Sequence, residues 1–135
     1  MRGDVLYLDS SALVKLILPE EETIPLFRLL LAWPYRVTNM IGFVEVQRAV
    51  RRAFPDDSLG RRSEEVLSYV TFLELRLEIL AEACYVEPLH LRSADAIHLA
   101  TAVRIGPQLG GFVTYDRLLK DAAQQQNLNV LSPAL

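Results

Sequence analysis

The hydrophobic positions of this chain fall into short apolar runs separated by longer stretches of helical spacing. Val5, Leu6 and Leu8 read as a buried strand, and Ala12, Leu13, Leu16 and Ile17 as the inner stripe of a helix. Between them, Ser10 or Ser11 is placed to cap the helix, because a hydroxyl there accepts from an orphan amide of the first turn. PEEETIPLFRLLLAW predicts a second helix. Glu20, Glu21 and Glu22 favour its positive end, Ile24, Phe27, Leu30 and Leu31 repeat at helical spacing, and Pro34 stops it. A strand is expected over Tyr35–Thr38 and a third helix over Ile41–Phe54, closed by Pro55. A fourth helix, after the turn-like PDDSLG, is expected over Arg61–Phe72.

Between Leu73 and Leu91 two readings compete: LELRLEIL alternates like a strand, whereas AEACY has helical character. A helix follows over Ser93–Arg104, closed by Gly106 and Pro107. Gly110 and Gly111 introduce a strand at Phe112–Thr114, TYDRLLKDAAQQQ is a last helix, and Leu128–Leu131 a last short strand. No repeat, low-complexity segment or linker interrupts the pattern, and 135 residues fit one domain over 1–135. Strands alternating with helices imply a parallel sheet covered on both faces, in which chemistry collects at the carboxyl ends of the strands. Asp9 falls at such an end.

An apolar fraction of 51% supports a packed core and excludes intrinsic disorder. Cys84 is the one cysteine, so no disulfide forms within the chain, and a single buried-looking thiol suits a reducing compartment. MRGDVLYLD lacks the apolar run of a signal peptide, and Leu29–Trp33 is far shorter than the roughly 20 residues of a membrane span. A cytoplasmic protein without membrane attachment is the expectation. The net charge of −3 argues against a whole-surface nucleic-acid binder. It leaves room for a nucleic-acid enzyme that gathers its acids around metal.

Four acids are candidates for such a cluster. Asp9 and Asp116 each follow an apolar strand and precede a helix, Asp95 lies in the first turn of SADAIHLATA, and Glu45 lies early in IGFVEVQRAV. An acid in a first turn has a simpler purpose, since it complements the helix dipole by about 0.3–1 kcal/mol. Glu45 resists that explanation: its helix turns Ile41, Val44 and Ala49 inward, with Val46 a further candidate, and Glu45 borders that stripe. Crowded carboxylates repel and raise one another's pKa. A divalent cation removes the cost, and oxygen ligands without cysteine or histidine select Mg²⁺ or Mn²⁺. Such a cluster suits phosphodiester cleavage, in which metal activates water and stabilises the leaving oxygen.

YLDSSALVKL, FVEVQRAVRR, SADAIHLATA and VTYDRLLKDAA, in this order and spread over nearly the whole chain, resemble the PIN-domain family. More narrowly they resemble the VapC-type ribonuclease toxins of VapBC type II toxin–antitoxin modules. The resemblance implies a three-layer α/β/α sandwich around a mostly parallel sheet of four or five strands. It implies an Mg²⁺- or Mn²⁺-dependent endoribonuclease acting on RNA, a homodimer, and a cognate VapB-like antitoxin that blocks the site. Asp9, Glu45, Asp95 and Asp116 fall on the family's acidic positions, as catalytic residues and metal ligands. Thr114 matches its hydroxyl position beside the last acid, and Ser10 is the counterpart beside the first. The stretch 73–91 matches no motif.

Other residues have lesser roles in this reading. His98, one turn after Asp95, is assigned to packing or to support of a ligand, since a hard-metal site has little use for imidazole. Arg48 and Arg52 share a helix face with Glu45 and suit phosphate or an antitoxin acid, the alternative being a solvated surface. Lys15 is expected on the solvent face of its helix. Phe27, Trp33, Phe43 and Phe54 read as core or dimer contacts. Two rival functions remain. Phosphoryl transfer through an aspartyl intermediate uses a strand-end acid like Asp9, but usually wants a second acid where Ser11 stands. A non-catalytic PIN-like module that binds RNA or protein would have lost an acid, and none is missing.

Overall fold

The computed structural model describes residues 3–134. Its strands are β1 (Val5–Leu8), β2 (Tyr35–Asn39), β3 (Thr71–Leu73), β4 (Leu109–Val113) and β5 (Val130–Leu131). They form one sheet, parallel throughout, in the order β3-β2-β1-β4-β5. The helices are α1 (Ser10–Ile17), α2 (Thr23–Leu31), α3 (Ile41–Ala53), α4 (Gly60–Leu67), α5 (Leu77–Ala83), α6 (Ser93–Ile105) and α7 (Arg117–Gln125).

Side-chain alternation on β1 divides the core. Leu6 and Leu8 face one layer with Leu13, Ile17, Leu26 and Val46, from α1 to α3, while α4 adds Val66 and Leu67. Tyr7 faces the other, with Leu99 of α6, Leu119 of α7 and Phe112, whose ring stacks on Tyr7 at 5.4 Å. These are the layers of the expected α/β/α sandwich, and the sheet has five strands. The chain leaves β1 toward β2 and β3 on one side, then returns to place β4 and β5 on the other. The order therefore reverses between β1 and β4, and a crevice opens at their carboxyl ends.

Several local expectations change. α1 is capped by Asp9 and not by a serine: the carboxylate accepts from the Ala12 amide, and Ser10 is already helical. α2 starts at Thr23, because the Thr23 hydroxyl accepts the Glu20 amide and holds the three glutamates in a turn before it. The fourth helix stops at Leu67, and Thr71–Leu73 is strand, where β-branched and aromatic residues suit a pleated surface better than a helix. The alternation of LELRLEIL is not a buried strand face, since Leu77 is exposed and opens α5. In α3 the inner stripe is Gly42, Val46 and Val50, and Val44 is 57% exposed. Phe43 and Phe54 are exposed, as is Cys84.

Gly110 and Gly111 lie inside β4 rather than before it. The β1–β4 register slips by one residue there, and Trp33 covers both glycines. A methyl group on Gly110 would sit 2.2 Å from the Gly3 carbonyl oxygen and 2.4 Å from Trp33 Cζ3. Gly110→Ala is therefore expected to destabilise the fold by about 1–3 kcal/mol, the usual cost of overpacking. Urea unfolding should show a lower midpoint, and an unchanged midpoint would mean that the Gly3 backbone and the Trp33 ring both yield easily.

Candidate active site

The crevice contains a cavity of about 480 Å³ lined by Asp9, Glu45, Asp95 and Asp116 together with Ser10, Ser11, Lys15, Arg48, Arg52 and Arg92. All four sequence-derived acids thus share one cavity, although they come from four separate segments. Each is held differently.

Asp9 is almost fully buried. Its Oδ1 accepts from Ser11 Oγ at 2.7 Å and the Ala12 amide at 3.0 Å, and its Oδ2 accepts from Thr114 Oγ1 at 2.6 Å. The two hydroxyls in turn accept from the β4–α7 loop: Tyr115 N–H donates to Ser11 and Asp116 N–H to Thr114. Burial pushes the Asp9 carboxyl above the usual carboxylate range, against the pull of these donors. Asp116 caps α7, its Oδ1 accepting from the Leu119 amide at 2.8 Å.

Glu45 projects from the second turn of α3. Its Oε1 accepts from Ser10 Oγ at 2.5 Å and from His98 Nε2 at 2.7 Å. Burial raises this carboxyl, but the bonds from His98 and Ser10, aided by nearby positive charge, outweigh it and hold it below the usual range. His98 is wholly buried. Tyr7 Oη accepts the Asn39 amide at 3.0 Å and donates to His98 Nδ1 at 2.6 Å. That leaves the ring proton on Nε2, where it serves Glu45. Asn39 is fixed by Thr101 and accepts the Ile41 amide at the start of α3.

Asp95 is nearly buried, and burial raises its carboxyl despite the adjacent Arg92. Arg92 spans two acids, with Nε 3.1 Å from Asp95 Oδ2 and Nη2 3.5 Å from Asp116 Oδ2. Repulsion expected among the acids is thus answered between Asp95 and Asp116 by a guanidinium. Arg48 and Arg52 are exposed on the Glu45 side and form no ion pair among the described residues. Lys15 lies off the buried stripe of α1, partly exposed, where it pairs with Glu20 at 2.7 Å and lies 5.0 Å above the Tyr115 ring.

The roles of the two serines differ from expectation: Ser11 holds Asp9, and Ser10 holds Glu45. Sequence reasoning also passed over Tyr7, Asn39 and Arg92. Arg92 left a signal, because a cation just before a helix stands at the wrong end of the dipole and three residues from Asp95. Tyr7 and Asn39 left none, being ordinary strand residues whose partners lie far along the chain. With three hydrogen bonds on its carboxylate, Asp9 is poorly presented as a nucleophile for phosphoryl transfer.

The donor set fits a hard divalent cation: Asp9, Glu45, Asp95 and Asp116 face one cavity without a thiolate, and a fifth carboxylate there, Glu20, is paired with Lys15. Among the described residues, no three acidic, histidine or cysteine side chains stand close enough to grip one ion as they are. One oxygen each of Asp95 and Asp116 is taken up by Arg92.

The PIN domain family model matches residues 6–125. Ribonuclease VapC46 of Mycobacterium tuberculosis (strain ATCC 25618 / H37Rv) is 37% identical over 129 residues, covering 96% of this chain and 98% of that protein. Ribonuclease VapC47 of Mycobacterium tuberculosis (strain CDC 1551 / Oshkosh) is 35% identical over 133 residues, covering 96% and 97%. Among solved structures, a toxin–antitoxin complex from Klebsiella pneumoniae aligns with a TM-score of 0.70 at 23% identity, covering 95% of this chain and 97% of that one. VapBC2 from Rickettsia felis, bound to a DNA fragment from its promoter, aligns with a TM-score of 0.74 at 14% identity, covering 96% and 98%. At these identities the two structures speak for the fold alone.

The buried Asp9 charge has a consequence for stability. With its folded pKa raised, the group contributes stability that is full below the unfolded value and lost as pH rises through the folded one. At neutral pH the charge is a cost. Asparagine keeps the cap and removes that cost. Asp9→Asn should therefore melt at a higher temperature than the parent in EDTA at pH 7, with the gap closing toward about pH 4. A lower melting temperature at pH 7 would show that the hydrogen bonds outweigh burial.

Proposed function

This chain belongs to the PIN-domain family, and on that premise we propose that it is an Mg²⁺- or Mn²⁺-dependent endoribonuclease of the toxin–antitoxin kind. One observation carries the reading: Asp9, Glu45, Asp95 and Asp116, from four distant segments, line one cavity at the carboxyl edge of a parallel sheet. The curated relatives named as ribonucleases are more than 30% identical over nearly the full length, which supports RNA as the substrate. A VapB-like antitoxin partner and a homodimer belong to the same proposal. No described helix is long and apolar enough to cross a membrane.

The residues divide the work by how they are held. Asp9 is fixed by Ser11, Thr114 and the first turn of α1, so its position costs no reorganisation when the site is used. Glu45 commits Oε1 to Ser10 and His98, and its Oε2 has no partner among the described residues. Asp95 and Asp116 complete the ligand set. A bound Mg²⁺ or Mn²⁺ would supply an activated water and neutralise charge on the scissile phosphate. Arg48 and Arg52, on the Glu45 face, present planar forks suited to the phosphates of a bound strand. Ser10, on the cavity wall, and the fully buried His98 and Tyr7 orient Glu45.

Cleavage of RNA by the antitoxin-free protein should vanish in EDTA and return with Mg²⁺ or Mn²⁺; undiminished activity in EDTA would sink the metal reading. Asp9→Asn and Asp95→Asn should each lower cleavage by more than the roughly 10–100-fold typical of residues that only support a ligand. His98→Ala should stay within that range, and a larger loss there would make the imidazole part of the chemistry. Circular dichroism on each variant separates loss of activity from loss of fold.

A further inference from the structure

We propose that Arg92 is a positioning residue that competes with the divalent cation, holding Asp95 and Asp116 in the metal-free protein and leaving them when the cation binds. The inference rests on the reading of the cavity as a metal-dependent nuclease site. Three features carry it. The guanidinium contacts one oxygen on each acid, at 3.1 Å on Asp95 and 3.5 Å on Asp116, so a single side chain spans two proposed ligands. Its site is electrostatically adverse from the helix side. Arg92 is the cap residue of α6, where the positive end of the dipole repels a cation, so the acids and not the helix hold it there. Finally, its side chain is 76% exposed, whereas that of Asp95 is only 10% exposed. The guanidinium lies over the acids from the solvent side and can withdraw without disturbing the core.

The exchange is favourable in kind. A guanidinium brings one positive charge spread over a plane, and Mg²⁺ or Mn²⁺ brings two on a small ion that prefers carboxylate oxygen. Exposed ion pairs are weak, so Arg92 tunes the affinity for cation and does not forbid binding. In return it prevents Asp95 and Asp116 from facing each other bare when metal is scarce. Asp95 and Asp116 share Arg92 while Asp9 and Glu45 are held elsewhere, and among the described residues no three are gathered to grip an ion.

The test needs no RNA. Free Mn²⁺ is followed by electron paramagnetic resonance during titration of the parent, Arg92→Gln and Arg92→Lys. Arg92→Gln should bind Mn²⁺ about two- to fivefold more tightly than the parent, the range set by an exposed pair. Arg92→Lys should fall between them, because the ammonium keeps the charge and loses the fork. Binding by Arg92→Gln equal to or weaker than the parent would overturn the proposal while leaving the metal reading intact. No Mn²⁺ binding by any of the three, up to millimolar metal, would bring down the metal reading and this inference with it. Thermal melts give a second readout. In EDTA Arg92→Gln should melt below the parent, and Mn²⁺ should raise its melting temperature by more. A higher melting temperature for the variant in EDTA would show that Arg92 does not hold the two acids.

Discussion

A carboxylate closed off from water has to be satisfied by the protein, and at Asp9 that requirement shapes the whole carboxyl edge of the sheet. An unpaired buried charge would cost several kcal/mol. Asp9 offsets part of this by accepting from the first turn of α1, from Ser11 and from Thr114 at the end of β4. Each donor carries a further segment with it. Ser11 and Thr114 receive the amides of Tyr115 and Asp116, which sets the loop into α7 and the position of the second aspartate. The reversal of strand order between β1 and β4 makes this possible, because it brings residues 9 and 114 together across a hundred positions of sequence.

The acids are therefore not a simple pool of negative charge. Asp9 is held by neutral donors, Glu45 by a hydroxyl and an imidazole, and Asp95 by a guanidinium it shares with Asp116. Charge is met by charge only where the site is open to solvent. In the closed part it is met by dipoles, which stay in place whatever the cavity contains. Both aspartates at strand ends also cap helices, so the plain structural reading of an acid before a helix and the functional one hold together.

Much of this was legible in the chain. Apolar runs and helical stripes located four of the five strands and most helices, because those elements bury one face and their periodicity records it. Glu45 was legible for the opposite reason, since a carboxylate bordering an apolar stripe has no packing purpose, and the three aspartates by their places at strand ends and in a first helical turn. What escaped was set by tertiary contact. β3 was hidden in the tail of a helix pattern, and Gly110 and Gly111 looked like a turn because Trp33, which excludes a side chain there, is far away in sequence. Val44 was assigned inward by hydrophobicity alone, although Gly42, Val46 and Val50 make the contact. Which serine serves which acid depends on the pitch of α1, and no pattern of residue types encodes it.

The chain from Asn39 through Tyr7 and His98 to Glu45 links the two layers of the sandwich, since Tyr7 and His98 belong to the α6–α7 side and Glu45 to α3 on the other. Every member either donates to the next or accepts from it, with no spare group at the buried positions. Such a chain restricts how the sequence can drift. A phenylalanine at position 7 or a leucine at position 98 would be tolerable to the packing alone, yet each strands a polar atom of its neighbour. Positions 7, 45 and 98 are thus coupled physically, and a change at one leaves a polar partner stranded unless the others change with it.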